Sequence, residues 1–185
     1  MSINIHGFWE GIEASTQHCN DISLGVALTD FFNNEKATSV VDLGCGMGYY
    51  VKIFRENNLN ASGFDGNPNT PELTGGICNI LDLSNPVKFD NPYDWAMSLE
   101  VGEHLPKEYE DVFINNLHNN NNSGIVLSWA VKGQGGHGHF NEQNNDYIKN
   151  KICSLGYTND IISEEYLRDK SSLPWFKNTI MVFRK

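Results

Sequence analysis

Apolar positions along the chain change their spacing in a regular way. Between residues 6 and 34 they recur at helical intervals, first Phe8, Trp9 and Ile12, then Ile22, Leu24, Val26, Leu28, Phe31 and Phe32. Asp21 is placed to cap the second of these helices, which ends near Asn33 and Asn34. The spacing then shortens to strand-like runs at Val40, Val41 and Leu43, at residues 61–64, 77–81 and 93–99, and at residues 123–131. Helices are expected between them: from Tyr49 to about Asn57, and from Pro106, at its first position, through Tyr109, Val112, Phe113, Ile114 and Leu117 to His118. The crossover at 68–76 holds two prolines and paired glycines and is not expected to form a full helix. Residues 141–155 read as a helix with Gly156 at its C-cap. Residues 158–163 and 177–184 read as two closing strands, an antiparallel hairpin at a sheet edge. Strand and helix alternate over most of the chain, so the expected architecture is a doubly wound α/β fold.

The 185 residues suffice for one domain, with residues 1–36 as a helical extension, placed to act as a lid, and residues 37–185 as the α/β core. A net charge of −10 and no run of Lys or Arg make a nucleic-acid partner unlikely on electrostatic grounds. Cys19, Cys45, Cys78 and Cys153 are far apart and form no CxxC pair, which excludes a zinc cluster motif and reads as reduced thiols in the cytoplasm. No apolar run approaches the ~20 residues of a membrane span. The asparagine cluster at 119–122 is expected to be a solvated helix end and turn.

Candidate chemistry begins at Val40-Val41-Asp42-Leu43-Gly44-Cys45-Gly46-Met47-Gly48. A strand, a turn that needs positive φ and a helix N-terminus follow one another, and glycine lets a bound molecule approach the backbone. A dinucleotide fingerprint would read GxGxxG, which leaves an NAD-dependent dehydrogenase as the rival. The pattern here, DxGxGxG, resembles motif I of the class I S-adenosylmethionine (SAM)-dependent methyltransferases. Asp65 ends the second strand about 20 residues further on, where an acidic side chain meets ribose hydroxyls. The resemblance implies SAM as cofactor, a Rossmann-like seven-stranded sheet of order 3-2-1-4-5-7-6, and a cofactor site of Asp42, Gly44, Cys45, Gly46, Gly48, Asp65, Gly66, Asp82, Leu83, Leu99 and Glu100. Within it Asp82 would hold the adenine amino group and Leu83 would lie on the adenine face.

The stretch Glu100-Val101-Gly102-Glu103-His104 is similar to motif IV of ubiquinone-pathway O-methyltransferases and small-RNA 2′-O-methyltransferases. That similarity implies Mg²⁺ or Mn²⁺ on Glu100, Glu103 and His104, with His137 or His139 completing the shell. Without a metal His104 is the candidate general base, since its ordinary pKa of about 6.5 suits proton removal at neutral pH. Glu100, Glu103, His104 and His139 make up the catalytic set. Trp9 and His18 from the extension, Trp129, and His137 and His139 from the loop Gly133-Gln134-Gly135-Gly136-His137-Gly138-His139 are the expected substrate contacts, with Asn141 and Glu142 as weaker ones.

No Asn/Asp-Pro-Pro-Tyr/Phe motif and no Pro-Cys nucleophile follow the fourth strand, so methylation of exocyclic base amines or of cytosine C5 is not expected. The expected activity is O-methylation of a small molecule such as a sugar or nucleotide sugar. RNA 2′-O-methylation and a non-catalytic SAM-binding regulatory subunit are the alternatives, and a homo-oligomer is compatible with the sequence.

Overall fold

The computed structural model describes residues 2–16 and 18–185. Its centre is a seven-stranded sheet, built from β3 (Ser39–Leu43), β4 (Asn60–Asp65), β5 (Cys78–Ile80), β6 (Tyr93–Ser98), β7 (Asn121–Leu127), β8 (Thr158–Asn159) and β9 (Met181–Arg184) in the order β5-β4-β3-β6-β7-β9-β8. Counted along the sheet, this is the expected 3-2-1-4-5-7-6. The first five strands are parallel, and β9 runs antiparallel to both β7 and β8.

Parallel strands covered on both faces are near-continuous apolar runs. In β3, Val40 packs into one core layer and Val41 into the other; in β6, Trp95 and Ala96 divide in the same way. The first layer is closed by α1 (Ile22–Asn34), α2 (Tyr49–Glu56) and α6 (Ile161–Lys170) through Leu28, Phe32, Phe54 and Leu167. Helices α4 (Glu110–Asn119) and α5 (Asn145–Ser154) close the second through Phe113, Leu117, Ile148 and Ile152. A single turn, α3 (Thr70–Leu73), makes the crossover to β5, and another, α7 (Phe176–Thr179), precedes β9.

Asp21 caps α1 as expected, accepting the Leu24 N–H at 2.9 Å. Its second oxygen accepts the N–H groups of Ser172 and Leu173, at 2.7 and 2.8 Å.

Four expectations need correction. Residues 2–10 form a two-stranded antiparallel ribbon, β1 (Ser2–Ile3) with β2 (Trp9–Glu10), followed by a 3₁₀ turn at Ile12–Thr16. Gly7 and Gly11 have φ of +97° and +91°, which interrupts helix where apolar spacing alone suggested it. The closing strands are not a hairpin: α6 and α7 lie between them, and β8 stops after two residues. Asp160 ends it by accepting the Ser163 N–H, a helix N-cap whose signature was masked by the β-branched pair Ile161-Ile162. Strand β7 ends at Leu127, short of Ser128 to Val131. Finally, Asn120 and Asn121 are buried, not solvated. The Asn120 amide accepts the Phe89 N–H and donates to the carbonyls of Val87 and Asn116. The Asn121 amide donates to the Leu117 carbonyl and to the Tyr157 hydroxyl.

Candidate active site

Strand order reverses between β3 and β6, and ligands of open α/β sheets lie in the crevice beyond the strand ends at such a point. A cavity of about 540 Å³ opens there. Gly44 and Gly46 adopt φ of +90° and +51°, and the space a Cβ would need is taken by Val101 at Gly44 and by the His18 imidazole at Gly46. Asp65 holds this turn in place. One of its oxygens accepts the Gly46 N–H at 2.9 Å and the other the Asn67 N–H at 3.0 Å, and further lone pairs remain for a ligand hydroxyl.

Asp82 lies across the cavity with His6 Nδ1 2.6 Å from Oδ2 and the Ser84 N–H on Oδ1. Burial pushes the Asp82 carboxyl up, but the bonds from Ser84 and His6 outweigh it and hold it below its ordinary range. For Asp42, nothing outweighs burial, and with the charges of Cys78 and Asp65 added its carboxyl is raised well above that range.

The opposite wall is built by the loop after β6. Glu100 stands in the left-handed region, φ 54°, and its carboxylate accepts from Gln134 Nε2 at 2.7 Å and from the Thr179 hydroxyl at 3.1 Å. Glu103 is fully buried, and neither of its oxygens meets a donor in good hydrogen-bond geometry, although the backbone of Glu103 itself and of Ala130 lies near. Burial first, then the charge of Glu100, pushes its carboxyl well above its usual value; nearby backbone N–H groups oppose this only in part. Ligand atoms of Glu103, His104 and His139 lie within 4.8 Å of one another. His104 Nδ1 is 3.1 Å from the Gly138 carbonyl, which only accepts, so Nδ1 carries the proton and Nε2 the lone pair. Burial, then His139, lowers the His104 pKa to about 4, so the ring is neutral at neutral pH but a weaker base than the ordinary value of about 6.5, on which the sequence expectation rests, would make it.

Most of the expected residues meet in this cavity: Trp9, His18, Asp42, Gly44, Cys45, Gly46, Asp65, Gly66, Asp82, Leu83, Leu99, Glu100, His104, His137 and His139 line it. Glu103, fully buried, does not, and neither does Gly48, which caps α2 at φ 67° with Cys78 and Thr74 against it. Trp129 does not reach it either. The ring is fully buried under Gly102 and donates its indole N–H to the Asn141 carbonyl. Asn141 and Glu142 also brace the loop: the Asn141 amide donates to Glu110, and Glu142 accepts from Gly133, Gly135 and His139. The expected trio Glu100, Glu103 and His104 is not the one that clusters, since Gln134 and Thr179 engage the Glu100 carboxylate and His139 takes its place. His18 sits over the glycine turn, with burial lowering its pKa and Asp65 opposing.

Sequence reading missed His6, Phe8, Trp175 and Phe176, which also line the cavity. The aromatic pair after Pro174 was the available signal for the last two.

A parallel sheet whose strand-end loops gather a glycine turn and two acidic side chains around one crevice defines a Rossmann-like domain built for a nucleoside ligand. The profile of the methyltransferase-domain family matches residues 23–127, more than half of the chain. The chain belongs to this family, and its sheet has the fold of the class I methyltransferases.

Similar solved structures include magnesium protoporphyrin IX methyltransferase from Synechocystis PCC 6803 with bound SAH (TM-score 0.67, 15% identity, 87% of this chain and 81% of that one). The methyltransferase domain of bacterial CtHen1-CN is another (0.62, 19%, 88% and 97%). CalS10, an amino pentose methyltransferase from Micromonospora echinaspora, with SAM bound, is a third (0.66, 11%, 86% and 89%). No curated protein matches the sequence. Among the described residues no helix is long and apolar enough to cross a membrane.

Proposed function

We propose that the protein transfers the methyl group of SAM to a hydroxyl oxygen of a small acceptor, with His104 as general base. The observation that carries this reading is His104 itself, a neutral imidazole with its Nε2 lone pair unused, on the same cavity as Asp65 and the glycine turn. SAM supplies a methyl on a sulfonium, and an acceptor hydroxyl must lose its proton to receive it. Asp65 binds ribose hydroxyls, the Gly44–Gly46 backbone gives close approach, and His104 takes the proton at Nε2. Gly138, through its carbonyl on Nδ1, keeps the imidazole in that tautomer. Trp9 packs edge-on to His104 at 5.2 Å between ring centroids and screens it from water.

No Lys or Arg lines the cavity among the described residues, while Asp42, Asp65, Asp82 and Glu100 do. This favours a neutral acceptor such as a sugar over a nucleotide sugar, whose diphosphate needs cationic partners. A surface of net charge −10 argues in the same way against RNA.

A second reading is favoured by Glu103. A buried carboxylate with no partner, beside two imidazoles that both spend Nδ1 on an outer acceptor (Gly138 for His104, Glu142 for His139), fits a divalent cation. Glu103, His104 and His139 would hold it, and it would lower the pKa of a bound hydroxyl. One carboxylate with two imidazoles suits Mn²⁺ better than Mg²⁺.

The test is incubation of the protein and labelled SAM with fractionated small molecules, followed by identification of what gains the label. Label in a hydroxylated compound from the wild type, and none from His104→Ala, supports the reading; equal labelling by both rules out His104 as base. Loss of turnover with EDTA and recovery with Mn²⁺ would favour the second reading.

A further inference from the structure

Gly66 follows the ribose ligand Asp65, and its backbone does not explain why glycine stands there. Its φ is not in the left-handed region, so any residue could adopt this conformation. The reason is steric. A Cβ on residue 66 would lie 2.5 Å from Cδ1 and Cγ of Phe8 and 2.6 Å from its Cβ, so the Phe8 side chain occupies the space a side chain at 66 would fill. Phe8, Gly66, Asp82 and Leu83 all line the cavity. The segment carrying Phe8 is fastened to cavity-lining residues on both sides: His6 to Asp82 at 2.6 Å, and the Gly11 carbonyl to Asn67 Nδ2 at 3.1 Å.

We propose that Phe8 is a cofactor-binding residue, forming one apolar wall of the adenine slot with Leu83 as the other, in place of the side chain that Gly66 lacks. The inference rests on the SAM-binding reading above and gives the N-terminal ribbon a different task from that of a lid over the acceptor. A flat heteroaromatic ring with an exocyclic amine matches a cavity that presents Phe8 and Leu83 as apolar surfaces and Asp65 and Asp82 as carboxylates. Glycine at 66 and phenylalanine at 8 are then one device in two pieces, joined only when the ribbon is docked.

The test exploits that complementarity. Calorimetric titrations with S-adenosylhomocysteine, and with 5′-methylthioadenosine, which keeps the adenosine and lacks the amino acid, are run on wild type, Phe8→Gly, and the double variant Phe8→Gly, Gly66→Val. Glycine is used at position 8 because the Phe8 Cβ itself would obstruct a new side chain at 66. Phe8→Gly should weaken both ligands by the same factor, about tenfold or more, and Gly66→Val should restore most of the loss by rebuilding the wall from β4's end. Rescue separates a missing wall from a ribbon that has come loose, since valine at 66 cannot re-dock the ribbon. Unchanged affinity in Phe8→Gly, a loss confined to S-adenosylhomocysteine, or no rescue would overturn the proposal while wild-type binding stands. If the wild type binds neither ligand, the SAM-binding reading fails first.

Discussion

Asp65, at the end of β4, and Glu103, in the loop after β6, are both carboxylates at the carboxyl end of one sheet, and their surroundings are opposite. Each oxygen of Asp65 accepts a backbone N–H, while neither oxygen of the fully buried Glu103 has a partner. The half around the glycine turn is thus complete in itself: the carboxylate proposed to receive ribose also fixes the turn beside it. The acceptor half is incomplete, since the buried Trp9 indole N–H also lacks a partner beside His104. Unpaired buried polar groups cost about 1–3 kcal/mol each. Two such groups so close to His104 make this the less self-sufficient half of the molecule.

The largest break in this comparison should come from His104→Ala, which is expected to lower turnover by about 10²- to 10⁴-fold while leaving S-adenosylhomocysteine affinity within about twofold in calorimetry. Asp65→Ala should do the reverse at the binding step. It removes the ribose acceptor and frees the Gly46 N–H, so affinity should fall about 10- to 100-fold and the cofactor-induced rise in Tm should largely vanish.

Glu110 sharpens the contrast from beneath the acceptor half. It is buried like Glu103, but it accepts from Lys107, Lys151, Tyr147 and Asn141. Burial pushes its carboxyl up, and those donors outweigh it and bring the pKa down to about 2, against 4.5 unperturbed. A depressed folded value means stabilisation that is complete above the unfolded pKa and lost as pH falls from about 4.5 to about 2. Glu110→Gln should therefore cost about 2 kcal/mol in urea unfolding at pH 7 and much less near pH 2.5.

Glu103 has the opposite sign. Its folded carboxyl is raised, so stability declines as pH rises past the unfolded value of 4.5 towards the folded one. Glu103→Met removes that loss and should stabilise the metal-free protein by about 1 kcal/mol at pH 8, and by less at pH 5, as read by Tm. Any Mn²⁺-dependent rise in Tm should disappear in the same variant.

Legibility in the sequence followed the same division. The glycine turn and the strand ends carrying Asp65 and Asp82 were readable because backbone geometry demands particular residues at particular spacings, and glycine or a terminal acid leaves a mark. The five parallel strands were readable as apolar runs for a similar reason. The acceptor half depends on which way side chains turn. Glu100 and Glu103 are three residues apart in an unremarkable loop, and only the left-handed backbone at Glu100 sends its carboxylate to Gln134 and Thr179 and away from the histidines. Trp129 was misread because the run continued past the true strand end, and Asn120 and Asn121 because burial of a polar side chain is decided by distant partners such as Phe89 and Tyr157. Phe8 and Gly66 were invisible as a pair, since nothing local links positions so far apart.

Asp21 ties the order of synthesis to the order of folding. Two of the donors on its carboxylate, Ser172 and Leu173, lie 151 and 152 residues further along the chain. Until residues 172 and 173 have been made, that carboxylate has only the local Leu24 N–H and water as donors, so its tie to the segment after α6 forms late. A fragment that stops before Ser172 should therefore keep α1 capped by Asp21 and lose only that distant tie.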